Sequence, residues 1–260
     1  MTRAGIAGLL AVAAGLGACG GTLPPLRGQM EVGRDAYAIF VAGGSDVGGD
    51  LYAVRTEGGQ VVQVTFTPVG EMRPALSPDG ALTAFLRGAS LRDSTPGSVW
   101  VMNLLSGTDR EIELPRGAGT PQRVAWSSDG RTVVVQAAGG LYRAEAIPRP
   151  GQARPVPPAE RAAAESSLAV VLGDPPFARV VPCAEPGALC VQADTGAPGL
   201  LARGATDPFR WGTDSVAFFR GNRVEIRPLG PGRARELNWT DVPRGAREMT
   251  VFTGKPNGGP

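Results

Sequence analysis

Histidine is absent from all 260 residues of this chain, which limits the chemistry that its side chains can perform. Without imidazole there is no Ser-His or Cys-His nucleophile pair, and the usual ligand of catalytic zinc is missing. An enzyme would have to use carboxylates, tyrosine, Lys255 (the only lysine) or a bound cofactor. We therefore expect no enzymatic activity, no cofactor and no metal site.

The acidic residues that stand out lie in turns. Residues 77–80 read SPDG and residues 127–130 read SSDG, each between two apolar runs. Proline presets the turn, aspartate bonds to nearby backbone, and glycine adopts the conformation that other residues avoid. We interpret Asp79 and Asp129 as turn formers. The glycine-rich loop with Asp46 and Asp50 lacks the spacing and the bidentate glutamate of an EF-hand, so we expect no calcium there.

The arginines are the second group that can bind a ligand, because guanidinium groups form paired hydrogen bonds with carboxylates and phosphates. The formal net charge is only +2, which gives no reason to expect a nucleic-acid partner. An acidic protein or an acidic ligand is the class of partner that such residues favour.

The elements that position these residues follow a repeat. A pattern of four short apolar strands returns at a period of about 40–45 residues, which is typical of a β-propeller. We count five four-stranded blades, with six possible, in an all-β fold. The first blade, within residues 37–66, supplies three strands only. Residues 248–252 are the candidate for the fourth, so we expect the C-terminal strand to close the ring.

The segments LSPDGALTAF, WSSDGRTVVV and GGDLYAV resemble the WD40-like propeller repeat of the TolB type. The resemblance extends over residues 36–254 and is strongest over 36–145. It implies a protein-interaction platform, although that family has six blades. In a propeller, the loops between blades and those between second and third strands gather on one face around the channel. Six arginines fall in these loops and are our candidate binding residues: Arg87, Arg92, Arg116, Arg203, Arg220 and Arg244.

The N-terminus indicates export. The apolar segment 5–18 is too short to span a bilayer as a helix and follows Arg3. It ends in Leu-Gly-Ala before Cys19, which resembles the bacterial lipoprotein signal. That resemblance implies cleavage before Cys19 and acylation of this cysteine, which anchors the protein to a lipid bilayer. Because Gly20 follows, it implies the periplasmic side of the outer membrane in a diderm host, or the outer face of the plasma membrane in a monoderm host.

The domain organisation follows from these assignments. It consists of a signal peptide (1–18), a lipid-anchored tether (19–34), the propeller (35–254) and a C-terminal tail (255–260). Cys183 and Cys190 flank a predicted hairpin turn, and opposed residues on paired strands can meet disulfide geometry in an oxidising compartment. We therefore expect these two cysteines to form a disulfide.

The function that this reading favours is a membrane-anchored, extracytoplasmic binding or scaffolding module of the cell envelope. Its partner would be an envelope protein or an acidic ligand. Two alternatives remain open at this point. One is a propeller hydrolase, lactonase or lyase that uses carboxylates or a channel metal, and the other is a sugar or peptide sensor at the channel mouth.

Overall fold

The structure is a computed structural model that describes residues 26, 28–43, 49–90, 93–146, 151–168, 179–192 and 197–254. Several sequence predictions concern residues outside these ranges. They are the signal peptide, the lipidated Cys19, Asp46, Arg92 and the tail from Lys255.

Short strands separated by tight turns account for most of the described chain. The strands of the first three blades are β1 (Tyr37–Ala42), β2 (Asp50–Arg55), β3 (Gly59–Gln60), β4 (Val62–Gln63), β5 (Glu71–Leu76), β6 (Leu82–Ser90), β7 (Asp93–Asn103), β8 (Asp109–Ile112), β9 (Pro121–Trp126), β10 (Thr132–Ala137), β11 (Gly140–Glu145) and β12 (Arg154–Pro155). A 3₁₀ turn (Pro158–Glu160) and helix α1 (Arg161–Leu168) follow. The remaining strands are β13 (Val180–Pro182), β14 (Ala188–Val191), β15 (Gly199–Arg203), β16 (Thr206–Trp211), β17 (Ser215–Arg220), β18 (Arg223–Pro228), β19 (Arg235–Glu236), β20 (Trp239–Thr240) and β21 (Arg247–Phe252).

These strands form five antiparallel sheets within the described residues. Their strand orders are β21-β1-β2-β4, β5-β6-β7-β8, β9-β10-β11-β12, β13-β14-β15 and β16-β17-β18-β19. In four of the sheets, strands that follow one another along the chain are neighbours, as in the blades of a propeller. In the first sheet, β21 from the end of the chain lies beside β1, and β4 lies beside β2. The predicted all-β propeller is therefore confirmed. A short parallel pair, β20 with β3, links the outer parts of the fifth and first blades.

The C-terminal strand closes the ring as predicted. Strand β21 pairs antiparallel with β1, with Phe252 opposite Tyr37 and Val251 opposite Ala38. The Tyr37 and Phe252 rings contact each other at 5.6 Å between centroids, and the Tyr37 hydroxyl donates a hydrogen bond to the carbonyl of Gly80 in the second blade. The first and last strands of the described propeller thus lie in one blade.

The core lies between the blades. Separate apolar clusters join blades 1 and 2, blades 2 and 3, blades 4 and 5, and blades 5 and 1. Trp126 is 7% exposed, and its Nε1 donates a hydrogen bond to the Ala75 carbonyl of blade 2 at 2.8 Å. Trp211 is partly buried and packs on the cluster between blades 5 and 1.

The fourth blade differs from the prediction at its start. The apolar run over residues 168–171 predicts a strand, but Leu168 is the last residue of α1. The alanine-rich segment before it favours a helix. Ala164 and Leu168 pack on Ala125 and Val134 of blade 3. In the described part of the chain, no helix combines the length and apolar character needed to cross a membrane.

The two repeated turns are structural, as the sequence indicated. The Ser77 hydroxyl donates to Asp79 Oδ1 at 2.6 Å, and the same oxygen accepts the Ala81 N–H at 3.0 Å. Residues 127–131 repeat this arrangement with the same two distances. Gly80 and Gly130 complete the turns at φ values of 68° and 69°.

The predicted disulfide between Cys183 and Cys190 is present, with 5.2 Å between the Cα atoms. Its position in the hairpin differs in one detail from the expectation. Cys190 lies opposite Val181, not opposite Cys183, so the bridge joins diagonal neighbours across β13 and β14.

Candidate functional site

The innermost strands of four blades line one open cavity of about 330 Å³ on the propeller axis. These strands are β5, β9, β16 and β21, and each of them directly follows a connection between two blades. Leu168, Val124, Phe209 and Met249 form apolar parts of the wall. Four charged residues also line it, one from each strand: Arg73, Arg123, Asp207 and Glu248. We call these four residues the channel ring.

Three members of the channel ring have an unusual backbone. Arg73, Asp207 and Glu248 have φ values of 53°, 48° and 50°, a region that residues other than glycine adopt uncommonly. Each lies where the pairing with the adjacent strand shifts register, as in a β-bulge. Bulges redirect side chains, and residues held at such φ values cost about 1–3 kcal/mol each and cluster at binding sites.

The charges of the channel ring are segregated around the axis. Strands β5 and β9 are neighbours, joined by the hydrogen bond from Trp126 to Ala75, and they carry Arg73 and Arg123. Strands β16 and β21 are also neighbours and carry Asp207 and Glu248. One half of the channel wall is therefore basic and the other half acidic.

No ion pair joins two members of the channel ring in the part of the chain that the structure describes. Glu248 instead accepts the backbone N–H of Arg73 at 2.6 Å. The pKa of Asp207 is raised above its usual range, first by desolvation within the channel and second by the charge of Glu248. The charge of Arg247, on the same strand as Glu248, partly offsets these two effects on Asp207. Among the described residues, no salt bridge neutralises a member of the channel ring.

Among the arginines predicted from the sequence, Arg87 is committed to the interior of the fold. Its residue is 9% exposed, and its Nη2 lies 2.8 Å from both Glu71 and Asp109. The guanidinium also lies over the Trp100 ring at 4.1 Å. The prediction that Arg87 binds a ligand is therefore corrected, because its guanidinium group is buried and contacts Glu71, Asp109 and Trp100.

The other predicted arginines within the described residues lie on the surface outside the channel ring; they are Arg116, Arg203, Arg220 and Arg244. Arg203 pairs with Glu185 at 3.0 Å, and Arg220 pairs with Glu225 at 2.8 Å. Arg116 and Arg244 are exposed on connections between blades, which lead into strands β9 and β21 of the channel wall. Neither has an ion pair among the described residues. These two remain candidates for contacts with a large partner.

Sequence reasoning missed the whole channel ring, although one signal was present. Arg73 and Asp207 each precede a proline, Pro74 and Pro208, inside a first strand of the repeat. Proline cannot donate to a sheet ladder, so within strands it marks an edge or a bulge. A charged residue before such a proline, in the strand nearest the axis, indicates a side chain directed to the channel.

Asp50, which lies in the glycine-rich loop considered above for calcium, has a structural role in the first blade. Its carboxylate accepts hydrogen bonds from Gln63 Nε2 at 2.9 Å and from the Thr67 N–H at 3.2 Å. Desolvation raises its pKa. Among the described residues, no group of three or more histidine, cysteine, aspartate or glutamate side chains is placed to hold a metal ion.

No protein-family model and no curated protein sequence matches the chain. Among solved structures, TolB from Acinetobacter baumannii is 15% identical with a TM-score of 0.47, covering 87% of this chain and 68% of that one. A putative TolB from Agrobacterium tumefaciens is 15% identical with a TM-score of 0.34, covering 84% and 71%. The periplasmic gluconolactonase PpgL of Pseudomonas aeruginosa is 14% identical with a TM-score of 0.31, covering 86% and 70%. These identities and TM-scores are too low to assign a family or a function to this chain. The propeller fold is established by the sheets described above.

Proposed function

We propose that this protein is a lipid-anchored, extracytoplasmic β-propeller that binds a ligand, or a segment of an envelope protein, in its central channel. One observation carries the proposal: the four charged side chains of the channel ring come from four blades to one cavity and do not pair with each other. Packing alone does not require unpaired charges in a concave site, whereas binding a polar ligand does.

The place of action is inferred from the cysteines. The lipoprotein-like signal that ends at Cys19 favours an acylated protein outside the cytoplasm. The bridge between Cys183 and Cys190 is consistent with an oxidising compartment. Replacement of Cys19 by serine should release the protein from the membrane fraction of cells and abolish labelling by radioactive palmitate. Retention of the Cys19→Ser variant in that fraction would overturn the anchor.

The binding function can be tested by photo-crosslinking in cells. A photoreactive amino acid replaces Arg244 or Leu105. Arg244 is exposed on the connection that leads into β21 of the channel wall. Leu105 is 45% exposed in the β7–β8 connection at the opposite end of the blades. Adducts, whether protein or small molecule, are identified by mass spectrometry. We expect an adduct at position 244 and none at position 105.

The channel ring is then neutralised in the crosslinking protein. The double variant Arg123→Gln/Asp207→Asn should abolish the adduct, because it removes one charge from each half of the ring. Arg131→Gln, which changes an exposed arginine next to the 127–130 turn, is the matched control and should leave the adduct unchanged. An adduct that persists in the double variant would show that the channel is not the binding site.

Catalysis is the second candidate, favoured by the two carboxyl groups. A carboxyl whose pKa is raised by desolvation and by a neighbouring carboxylate can act as a general acid, as Asp207 would beside Glu248. A panel of lactones and metal analysis of the purified protein test this candidate. Lactone hydrolysis that disappears in Asp207→Asn would establish an enzyme, and no hydrolysis by the wild type would reject this candidate.

A further inference from the structure

We infer that the channel cavity binds a small dipolar ion, namely a free amino acid or a short peptide that carries both a carboxylate and an ammonium group. This inference rests on the proposal that the channel is the binding site, and it names the chemical class of the ligand.

The first argument is the separation of charge in the channel ring. Arg73 and Arg123, on adjacent strands, form a basic half that suits a carboxylate. Asp207 and Glu248, on the opposite adjacent pair, form an acidic half that suits an ammonium group. A ligand with one charge would satisfy one half and leave the other uncompensated, whereas a dipolar ion satisfies both.

The second argument is that the acidic half is held in place and is only partly neutralised, by the charge of Arg247 near Asp207. The Arg73 N–H binds Oε2 of Glu248 at 2.6 Å, which fixes this carboxylate against β5. The charge of Glu248 also contributes to the raised pKa of Asp207, so the two carboxyl groups repel each other. An ammonium group between them relieves that repulsion.

The third argument is size and shape. A volume of about 330 Å³ lies at the small end of ligand pockets. Leu168, Phe209 and Met249 provide an apolar wall beside the charges, and such a wall suits the side chain of an amino acid or of a short peptide. A folded protein domain does not fit this volume.

The fourth argument is the backbone. Positive φ values at Arg73, Asp207 and Glu248 place a bulge at the same point of three innermost strands. A propeller can be closed without such bulges, so their cost is consistent with a site that is shaped for a ligand.

The test uses isothermal titration calorimetry with the purified protein. The probes are each of the common amino acids and the dipeptide dialanine, which distinguish a free amino acid from a peptide. For whichever probe binds, the N-acetylated and the amidated derivatives remove the ammonium and the carboxylate in turn. We expect each derivative to bind at least roughly tenfold more weakly than the parent.

Protein variants assign each charge to its half of the channel ring. In Arg123→Gln, amidation of the ligand should cause a smaller further loss than in the wild type, because one of the two arginines of the basic half is already missing, while N-acetylation should still weaken binding. In Asp207→Asn this pattern should reverse. Arg131→Gln, which changes an exposed arginine outside the cavity, is the control and should bind all probes as the wild type does.

Three results would overturn the inference. They are the absence of binding by every dipolar probe, equal binding of a parent and both its derivatives, and the same pattern of losses in both variants. All three results concern the class of ligand. The first two are obtained with the wild-type protein and do not depend on whether a variant folds. If crosslinking at position 244 still depends on the channel ring while no dipolar probe binds, the proposed function stands and this inference alone is wrong.

Discussion

The backbone N–H of Arg73 donates a 2.6 Å hydrogen bond to Oε2 of Glu248, although the two residues are 175 positions apart in the chain. The bond joins the closing strand β21 to the first strand of the second blade at the channel wall. Leu76 and Thr250 repeat this contact further along the same strands at 3.3 Å. Closure of the propeller by β21 therefore brings the residues of the channel ring together. Any change that separates β21 from β1 should affect both stability and binding.

Phe252→Ala should strongly destabilise the protein, because this ring is 7% exposed and packs on Tyr37 at the closure. We expect a loss of about 3–5 kcal/mol in the free energy of unfolding, measured with urea. Leu105→Ala, at a residue 45% exposed, is the control and should change it by less than about 0.5 kcal/mol. Equal losses in the two variants would mean that the closure does not stabilise the fold.

Alanine at two equivalent turn glycines should have unequal costs. Gly80 and Gly130 have φ values of 68° and 69°, so alanine at either costs about 1–2 kcal/mol in backbone strain. A Cβ at Gly80 would also lie 2.6 Å from the Phe252 ring, whereas at Gly130 it would lie 3.3 Å from Pro78. Gly80→Ala should therefore lose about 1–3 kcal/mol more in thermal or urea unfolding. Indistinguishable losses would refute the packing of Phe252 over the first turn.

Glu71 should make stability fall as pH rises. Its side chain is fully buried, and burial raises its pKa above the ordinary value of 4.5 despite the hydrogen bonds from Thr65 and Arg87. The fold thus favours the protonated carboxyl, whose stabilisation is complete below pH 4.5 and is lost as pH rises through the raised pKa. The side chain at this position in the variant Glu71→Gln stays neutral at every pH. Relative to this variant, the free energy of unfolding of the wild type should fall by up to about 1.4 kcal/mol per pH unit in that window.

Asp129 should make stability change with pH in the direction opposite to that of Glu71. The hydrogen bond from Ser127 lowers its pKa below the ordinary 3.8, so its stabilisation is present above that pH and disappears on acidification. Urea unfolding at several pH values should show the Asp129→Asn and Glu71→Gln differences changing in opposite directions. If the stability difference for Glu71 changed with pH in the same direction as that for Asp129, the raised pKa of the buried Glu71 would be contradicted.

Removal of the disulfide should have a moderate cost. Cys183 and Cys190 are 7 positions apart, and closing so short a loop contributes about 2.5 kcal/mol on the chain-entropy argument. The double variant Cys183→Ala/Cys190→Ala should lose roughly that amount in urea unfolding. Reduced wild type should match the variant. A wild type whose stability is insensitive to reductant would show that the bridge does not form in solution.

The repeat was predictable because its determinants are local. The side-chain bonds of the turns join residues at most five positions apart, such as Ser77 with Leu82, so a short motif specifies them. The closing strand could be inferred by counting, since the first blade lacked a strand and residues 248–252 had no partner. The cysteine pair was inferred from its position around a hairpin turn.

The site was not predictable to the same degree, because its determinants lie far apart in the sequence. Nothing local to Glu248 indicates a positive φ, which depends on the register with β1 and on the contact with Arg73. The burial of Arg87 depends on Glu71 and Asp109 from two other strands of the blade. Helix α1 replaced an expected strand start because Leu168 packs on blade 3, a contact that periodicity does not report.

Chemical footprinting of arginines tests the central claim, that the channel ring is the binding site, most directly. Phenylglyoxal labelling is compared between intact cell envelopes and protein that has been unfolded, freed of ligand and refolded. Arg131, exposed beside the 127–130 turn at the other end of the propeller, serves as the internal control. We predict that Arg73 and Arg123 react in the ligand-free protein and are protected in envelopes, while Arg131 reacts equally in both. Equal labelling of Arg73 and Arg123 in the two states would contradict the claim.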